Sequence, residues 1–540
     1  MSSLDVTAVG AAADAVGAHV PTLVEDRVAS RLFAQDDTLW GQAAQDEASK
    51  RLSWTGLPRS SRPLVGEIAA LKGELEDAGY DRVVLCGMGG SSLAPEVICA
   101  TAGVPIVILD SSDPDVVRGA LTDLERTVVV VSSKSGSTVE TDSQRRAFVA
   151  AFEEAGLDPT QRMVVVTDPG SPLEKQSREA GFRVVTADPA VGGRYSALTA
   201  FGLVPSGLAG ADVEALLDDA ESVADLLAAD DEANPALRLG AAMAGTEPLR
   251  DKLVLVDAGT ENVGFPAWAE QLIAESTGKE GTGILPVVAI GAEPSALYDD
   301  GTVARLVASD ADDDGGPGSS AASLVTVSGP LGAQFLLWEA ATAVAGRLLG
   351  INPFDQPDVE SAKSAARDLL EQGLDEAAAP AFTDQAVEVR AAGGDWLTGT
   401  HTLDGALDAL LAQLDGDRGY VAVMAYLDRE SDADLENVAR DLYDRTGRPV
   451  TFGWGPRFLH STGQYHKGGP ARGVYLQVTT APAQDLEVPG RDFTFGEFIA
   501  AQAAGDAAVL ADHGRPVLRL HLTDHDAGLA QVRTLLQGGA

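Results

Sequence analysis

The chain has 540 residues, room for about three or four domains at ~100–200 residues each. Hydrophobic residues make up 45% and aromatics only 5%, so the chain is globular rather than disordered, with cores of small and branched side chains. Thirty-nine Lys and Arg against 81 Asp and Glu leave a net charge of −42, which repels nucleic acid phosphates and anionic lipid headgroups and argues against both as partners.

Residues 1–60 read as alanine-rich helices ending at Trp54-Thr55-Gly56-Leu57-Pro58. The opening residues lack the basic n-region of a secretory signal. No run of ~18 apolar residues occurs, so no transmembrane helix is expected and the chain is placed in the cytoplasm. Residues 62–80 form an amphipathic helix. Short apolar runs follow at 82–86, 105–109, 127–131, 163–167 and 182–186, with helical stretches between them. This alternation predicts βαβ units and a parallel sheet, a doubly wound domain over about 61–205. Cys86 and Cys99 lie in apolar segments and read as buried reduced thiols, and no Cys/His cluster has zinc spacing, so no metal site is expected.

Residues 206–250 are helical. A second α/β pattern begins at 252–256, continues through 284–290 and 324–327, and closes with the helix FLLWEAATAVAGRLLG, within a domain over 206–369. The acidic stretch DADDDGGPGSS at 310–320 reads as a flexible loop. Residues 370–400 look like a linker or peripheral segment. A third αβ unit follows, with strands at 420–426, 450–453 and 474–479 and a helix at 431–446, so that 370–540 is a linker and a carboxyl-terminal α/β extension.

Six segments could carry chemistry. In Leu85-Cys86-Gly87-Met88-Gly89-Gly90-Ser91-Ser92, glycines sit between a strand and a helix, where they let a ligand approach the backbone and leave N–H groups open to an anion. Ser92 replaces the third glycine of a dinucleotide fingerprint, although Asp110 ends the next strand where a ribose-binding acid would sit. A nicotinamide site and a plain tight turn stay open at this point. The segment Ser132-Ser133-Lys134-Ser135-Gly136-Ser137-Thr138-Val139-Glu140-Thr141 again joins a strand to a helix. Its hydroxyls, Lys134 and helix start would cradle a phosphate dianion; the alternative is an ordinary Ser/Thr cap. It is not a Walker loop, which disfavours a nucleoside triphosphate.

Arg194 follows Gly192-Gly193, a position from which a guanidinium can meet developing negative charge, or merely ride a surface turn. Glu275 falls in the last turn of a helix ending at Gly278, where the dipole makes a carboxylate a better base; a solvated Glu beside a cap is the alternative. Asn352-Pro353-Phe354-Asp355-Gln356-Pro357 forms an irregular turn before a helix carrying Lys363, seven residues after Gln356. His460-Ser461-Thr462-Gly463-Gln464-Tyr465-His466-Lys467 is polar and glycine-rich between strands, a binding loop or a long turn.

Taken in order, GMGGSS, SSKSGSTVET, GGRYS, ESTGK and NPFDQPDVESAK resemble the glucose-6-phosphate isomerase family over about residues 60–365. The part from 390 onward looks like the extension of a divergent bacterial branch related to transaldolase-fused isomerases. The resemblance implies two sugar isomerase (SIS) domains, with phosphate binding in the first and the catalytic base in the second. It implies reversible isomerisation of glucose 6-phosphate to fructose 6-phosphate through a cis-enediolate, with neither metal nor cofactor. A dual phosphoglucose/phosphomannose isomerase and a non-catalytic sugar-phosphate-binding protein are the alternatives.

By the resemblance, Gly90 and Ser91 lie at the sugar, and Ser133, Lys134, Ser135 and Thr138 bind phosphate. Arg194 stabilises the enediolate and Glu275 shuttles the proton. Gln356 contacts substrate, Lys363 lies near the ring oxygen, and Glu140 orients a catalytic histidine. That histidine departs from the family's place after a Gly-Gln pair, since no His occurs between His19 and His401. His466 or His460 of the extension is expected to supply it, or else Lys363 and water open the ring. The family implies a homodimer with sites completed across subunits, whereas an added domain could complete the site within one chain.

Overall fold

Valine-rich runs with few polar positions suit strands covered on both faces. In the computed structural model, which describes residues 4–290, 299–308, 322–372 and 379–538, they form the first of three sheets. (Side chains 359, 360, 362, 363, 368, 371 and 372 are outside the described residues, as is the loop 310–320.) The first sheet runs in the order Val107–Leu109, Arg82–Gly87, Thr127–Ser132, Met163–Thr167, Arg183–Thr186, all parallel. Strand order reverses between Arg82–Gly87 and Thr127–Ser132. Loops leaving these two strands therefore part to opposite faces and open a crevice at their carboxyl ends. The helices Gly90–Ala102 and Val139–Glu154 start there.

The second sheet has the order Asp5–Gly10, Ser323–Ser328, Gly301–Val307, Lys252–Asp257, Leu285–Val288. Its last four strands are parallel, and Asp5–Gly10 closes the edge antiparallel to Ser323–Ser328. Helix Leu331–Leu349 is buried over most of its length between this sheet's other helices, which is why it reads apolar all round. The third sheet is mixed, in the order Phe382–Asp384, Val387–Ala392, Val517–Leu522, Gly473–Thr480, Tyr420–Tyr426, Val450–Trp454. Its first two pairings are antiparallel and the rest parallel.

The third sheet is packed into the other two. Tyr420, Met424, Tyr475 and Ile499 share a core with Val254, Val256, Leu285 and Val303 of the second sheet. Val488 and Phe495 pack with Val84, Val129 and Val165 of the first. Buried charges along the seam are paired: Lys252 Nζ donates to Asp251 Oδ1 at 2.6 Å, to Asp300 Oδ2 at 2.7 Å and to the Arg418 carbonyl at 2.8 Å, while Arg448 donates to both oxygens of Asp300. A buried charge left alone would cost several kcal/mol, so these groups fix how the units meet.

Four expectations are corrected. Asp5–Gly10 is a strand, not part of a helical segment, because its alternating DVTAVG suits a sheet edge. Gly301–Val307 was not anticipated as a strand, its apolar run being broken by Arg305. Residues 382–392, expected as linker, supply two strands of the third sheet, and Val517–Leu522 supplies another. The His460 segment is not a long turn: Arg457–His460 and Gly463–Gly468 are short helices with mostly buried side chains.

Candidate active site

The crevice of the first sheet is the floor of a cavity of about 470 Å3, and all three sheets contribute to its walls. The first wall is the loop Ser133–Thr138. Thr138 caps helix Val139–Glu154 by position but not with its side chain, so the helix start keeps donors for an anion. Ser135 Oγ and Ser137 Oγ lie 2.6 Å apart, and the Gly136 N–H donates to Ser133 Oγ at 3.1 Å. Gly136 has φ +75 and abuts Leu173, so only glycine turns the loop here. Lys134 Nζ pairs with Asp168 Oδ2 at 2.6 Å and donates to the Pro189 carbonyl at 3.1 Å. Ser132 Oγ is buried with no hydrogen-bond partner among the described residues. Arg51, from the amino-terminal segment, joins this end of the cavity.

The second wall holds buried charge. Arg194 is 3% exposed and its guanidinium is fixed on every side. Nε donates to Ser276 Oγ at 2.8 Å, Nη1 to Gln356 Oε1 at 2.5 Å, and Nη2 to the carbonyls of Pro353 at 2.7 Å and Asp355 at 3.0 Å. Glu275, in the last turn of helix Phe265–Thr277, stands with Oε2 3.6 Å from Arg194 Nη1. A Cβ on Gly90 would lie 2.0 Å from the Gly193 carbonyl oxygen, so this glycine lets the start of helix Gly90–Ala102 touch the turn that carries Arg194. Lys279 holds the same Asp355 carbonyl at 2.6 Å and its carboxylate at 2.7 Å. Burial and the neighbouring Arg194 charge push the Lys279 ammonium down to about 8.

The third sheet supplies the remaining wall. His460 Nε2 lies 3.0 Å from Glu140 Oε1, and Gln502 Nε2 donates to that same oxygen at 2.8 Å. Arg457 anchors the segment by pairing with Asp110 at 3.0 Å and with Glu96. The His460 carbonyl accepts from Gln271 Nε2 at 2.8 Å, and the same amide nitrogen lies 3.5 Å from Glu275 Oε2. Gln271 thus joins the carboxylate of the second unit to the His460 backbone of the third.

No family model matches the chain. Over 221 residues, 40% of this chain and 51% of the relative, it is 37% identical to the probable glucose-6-phosphate isomerase of Haloarcula marismortui. Over 346 residues it is 33% identical to the probable glucose-6-phosphate isomerase of Natronomonas pharaonis, covering 55% of this chain and 81% of that one. The chain belongs to the glucose-6-phosphate isomerase family. The match spans about half the length of the first relative and four-fifths of the second. A hypothetical protein of Thermus thermophilus, known from a crystal structure, is similar to 68% of this chain and the whole of its own, with a TM-score of 0.56 and 25% identity.

The fold brings most of the residues expected from this family's motifs into the one cavity: Gly90, Ser91, Ser133, Lys134, Ser135, Thr138, Glu140, Arg194, Glu275, Gln356 and His460 all line it. Lys363 lies on helix Pro357–Gln372, with its side chain outside the described residues. Gln356 precedes that helix rather than sharing it. Gly278 ends helix Phe265–Thr277 with φ −77, not in the left-handed conformation of a capping glycine; it is glycine because a Cβ would lie 2.5 Å from Tyr465 Cα.

His466 is not in the cavity wall. It is 2% exposed, stacked on Tyr420, and its Nδ1 lies 3.1 Å from the Tyr420 hydroxyl. Burial, then the charges of Lys467 and Arg515, push its imidazole well below the usual histidine range, so it stays neutral. Asp110 is not open to a ribose, because Ser92 Oγ and Arg457 occupy it.

Five polar lining residues went unread in the sequence: Arg51, Asp168, Gln271, Arg367 and Gln502. Gln271 lies four residues before Glu275 on one helix face, a spacing that could have flagged it. No helix among the described residues is long and apolar enough to cross a membrane, and no group of three or more His, Cys, Asp or Glu among them could hold a metal ion.

Proposed function

We propose that the chain interconverts glucose 6-phosphate and fructose 6-phosphate by moving a proton between C2 and C1. One observation carries this reading. A single cavity has a hydroxyl-rich loop at a helix start on one wall and, on another, a buried carboxylate, Glu275, 3.6 Å from the fixed guanidinium of Arg194.

Ser133, Lys134, Ser135 and Thr138 take the phosphate, with Ser137 and Arg51 beside them. In a chain of net charge −42, these local donors and cations are what an anionic substrate needs. Gly90, Ser91 and Gln356 face the sugar, and the family resemblance assigns Lys363 to the ring oxygen. Ring opening breaks the C1–O5 bond, takes the proton from the anomeric hydroxyl and places one on O5. His460 handles this transfer: Glu140 holds Nε2, leaving Nδ1 to exchange the proton. Glu275 then removes the C2 hydrogen as a proton. The electron pair forms the C1–C2 double bond and leaves negative charge on O1, beside Arg194. Glu275 returns the proton to C1 while the O2 proton passes to O1, giving the ketose. Arg194 moves little, since five groups already hold it, so it offers its charge without reorganisation.

The buried free thiols of Cys86 and Cys99, the latter pushed up to about 12 by burial, suit a cytoplasmic protein. The deciding experiment compares wild type with Glu275→Gln in forming fructose 6-phosphate from glucose 6-phosphate. We expect a loss of about 10³-fold or more with sugar-phosphate binding retained. Turnover near wild type would refute the assignment.

A further inference from the structure

Glu140 belongs to the first unit, yet two groups bonded to its Oε1 come from the third: His460 at 3.0 Å and Gln502 at 2.8 Å. We propose that Gln502 is a positioning residue for the Glu140–His460 pair, placed there by helix Phe495–Asp512. The inference rests on the reading of His460 as the group that opens the sugar ring.

Three observations support it. Gln502 is 3% exposed and lines the cavity, 362 residues along the chain from Glu140. Its Oε1 is buried with no hydrogen-bond partner among the described residues, so what this amide gains from the protein is its bond to Glu140. A residue that only filled space would be cheaper as an apolar side chain, because burying an amide with one end unsatisfied costs ~1–3 kcal/mol. Finally, its helix cannot drift. Thr494 and Glu497 cap its start reciprocally, and Gly505 allows it against helix Pro357–Gln372, with a Cβ there lying 3.0 Å from the Ala366 nitrogen.

The consequence is geometric. A carboxylate oxygen with one donor can rotate toward or away from it. Held by a second donor from a capped helix, Glu140 presents one fixed acceptor to His460 Nε2–H. The imidazole is then locked in the tautomer whose Nδ1 exchanges protons with substrate. Gln502 need not touch the sugar to do this.

Gln502→Met keeps length and bulk but removes the donor. In the full chain, kcat on glucose 6-phosphate should fall roughly 10-fold, part of the ~10²–10⁴-fold that a general acid–base group supplies. KM, and the Kd of the open-chain analogue 5-phosphoarabinonate, should stay within about twofold. In a His460→Ala background the same substitution should cause no further fall. Ring ¹⁵N shifts of His460 should show one tautomer, protonated at Nε2, in wild type and a mixture in Gln502→Met. Gln502→Asn, which keeps the donor but retracts it, should lie between and serves should Gln502→Met not fold. An unchanged kcat overturns the proposal. So does a rise in KM or Kd at constant kcat, or an equal fall without His460. If wild type itself fails to turn over glucose 6-phosphate, the isomerase reading fails. The tautomer measurement still judges Gln502, and an unaltered Nε2–H population in Gln502→Met sinks it.

Discussion

Two walls of the cavity solve opposite problems. The Ser133–Thr138 loop is half open: Ser135 and Ser137 are exposed, and its hydroxyls bond to one another rather than to the core. Such bonds exchange readily for phosphate oxygens and cost little to break. The rest of the lining is mostly buried. Arg194, Glu140, Gln271, Glu275, His460 and Gln502 are all buried, and each is tied to a partner on another segment. There the bonds are made before substrate arrives, so charge that develops during reaction meets groups already in place. In the proposed reaction, one wall captures by rearranging and the other acts by staying still.

That contrast can be broken most severely from the still wall. Beyond the Glu275 test, His460→Ala should lower kcat about 10²-fold on cyclic substrate while KM holds. His466→Gln, which keeps a polar group beside Tyr420, should leave kcat within about twofold. Equal losses in both variants would show that cavity position does not separate the two histidines. The capturing wall should respond in the other parameter: Ser133→Ala with Thr138→Ala should raise KM about 10-fold with kcat nearly constant, through loss of two charge-assisted hydrogen bonds. A fall in kcat instead would mean that the loop also steers the reacting carbons.

The smallest effect lies where the third unit docks behind this loop. Burial pushes the Asp142 carboxyl up, but hydrogen bonds from Arg145, Arg146 and Arg491 outweigh it and hold the group at about 2. Its folded value is thus below the ~3.9 of the unfolded chain. The stabilisation it brings is complete above pH ~4 and is lost as pH falls toward 2. After allowing for solvent screening, Asp142→Asn should cost about 1 kcal/mol at pH 7 by denaturant titration, with the deficit shrinking below pH 4. A deficit independent of pH would point to packing rather than charge.

How much of this was legible in the sequence follows from where each signal resides. Strands such as Thr127–Ser132 announce themselves because both faces are covered, and the loops that follow them must open at the carboxyl edge. Arg194 and the serine loop follow such ends and could be read with their neighbours, while Glu275 was legible from the last turn of its own helix, Phe265–Thr277. Asp5–Gly10 and Val387–Ala392 could not, because they pair antiparallel at sheet margins where the apolar signal is diluted. His460 and His466 share one short segment, and only the fold puts the first against Glu140 and the second against Tyr420. Gln502 carries no local mark at all: an amide on a helix face acquires meaning only from the carboxylate that tertiary structure brings to it.

The seam between the second and third units is drawn unusually tight. The Gly281 N–H donates to the Gly468 carbonyl at 2.9 Å, and a Cβ on Gly468 would lie 2.8 Å from the Gly278 carbonyl oxygen. Those glycines join stretches of chain that leave the ribosome far apart in time. Until residues past 502 have been synthesised and have docked, a growing polypeptide carries Glu275 and Arg194 without the imidazole and amide that complete the cavity. On the proposed reading, competence waits until this last unit of the chain has docked.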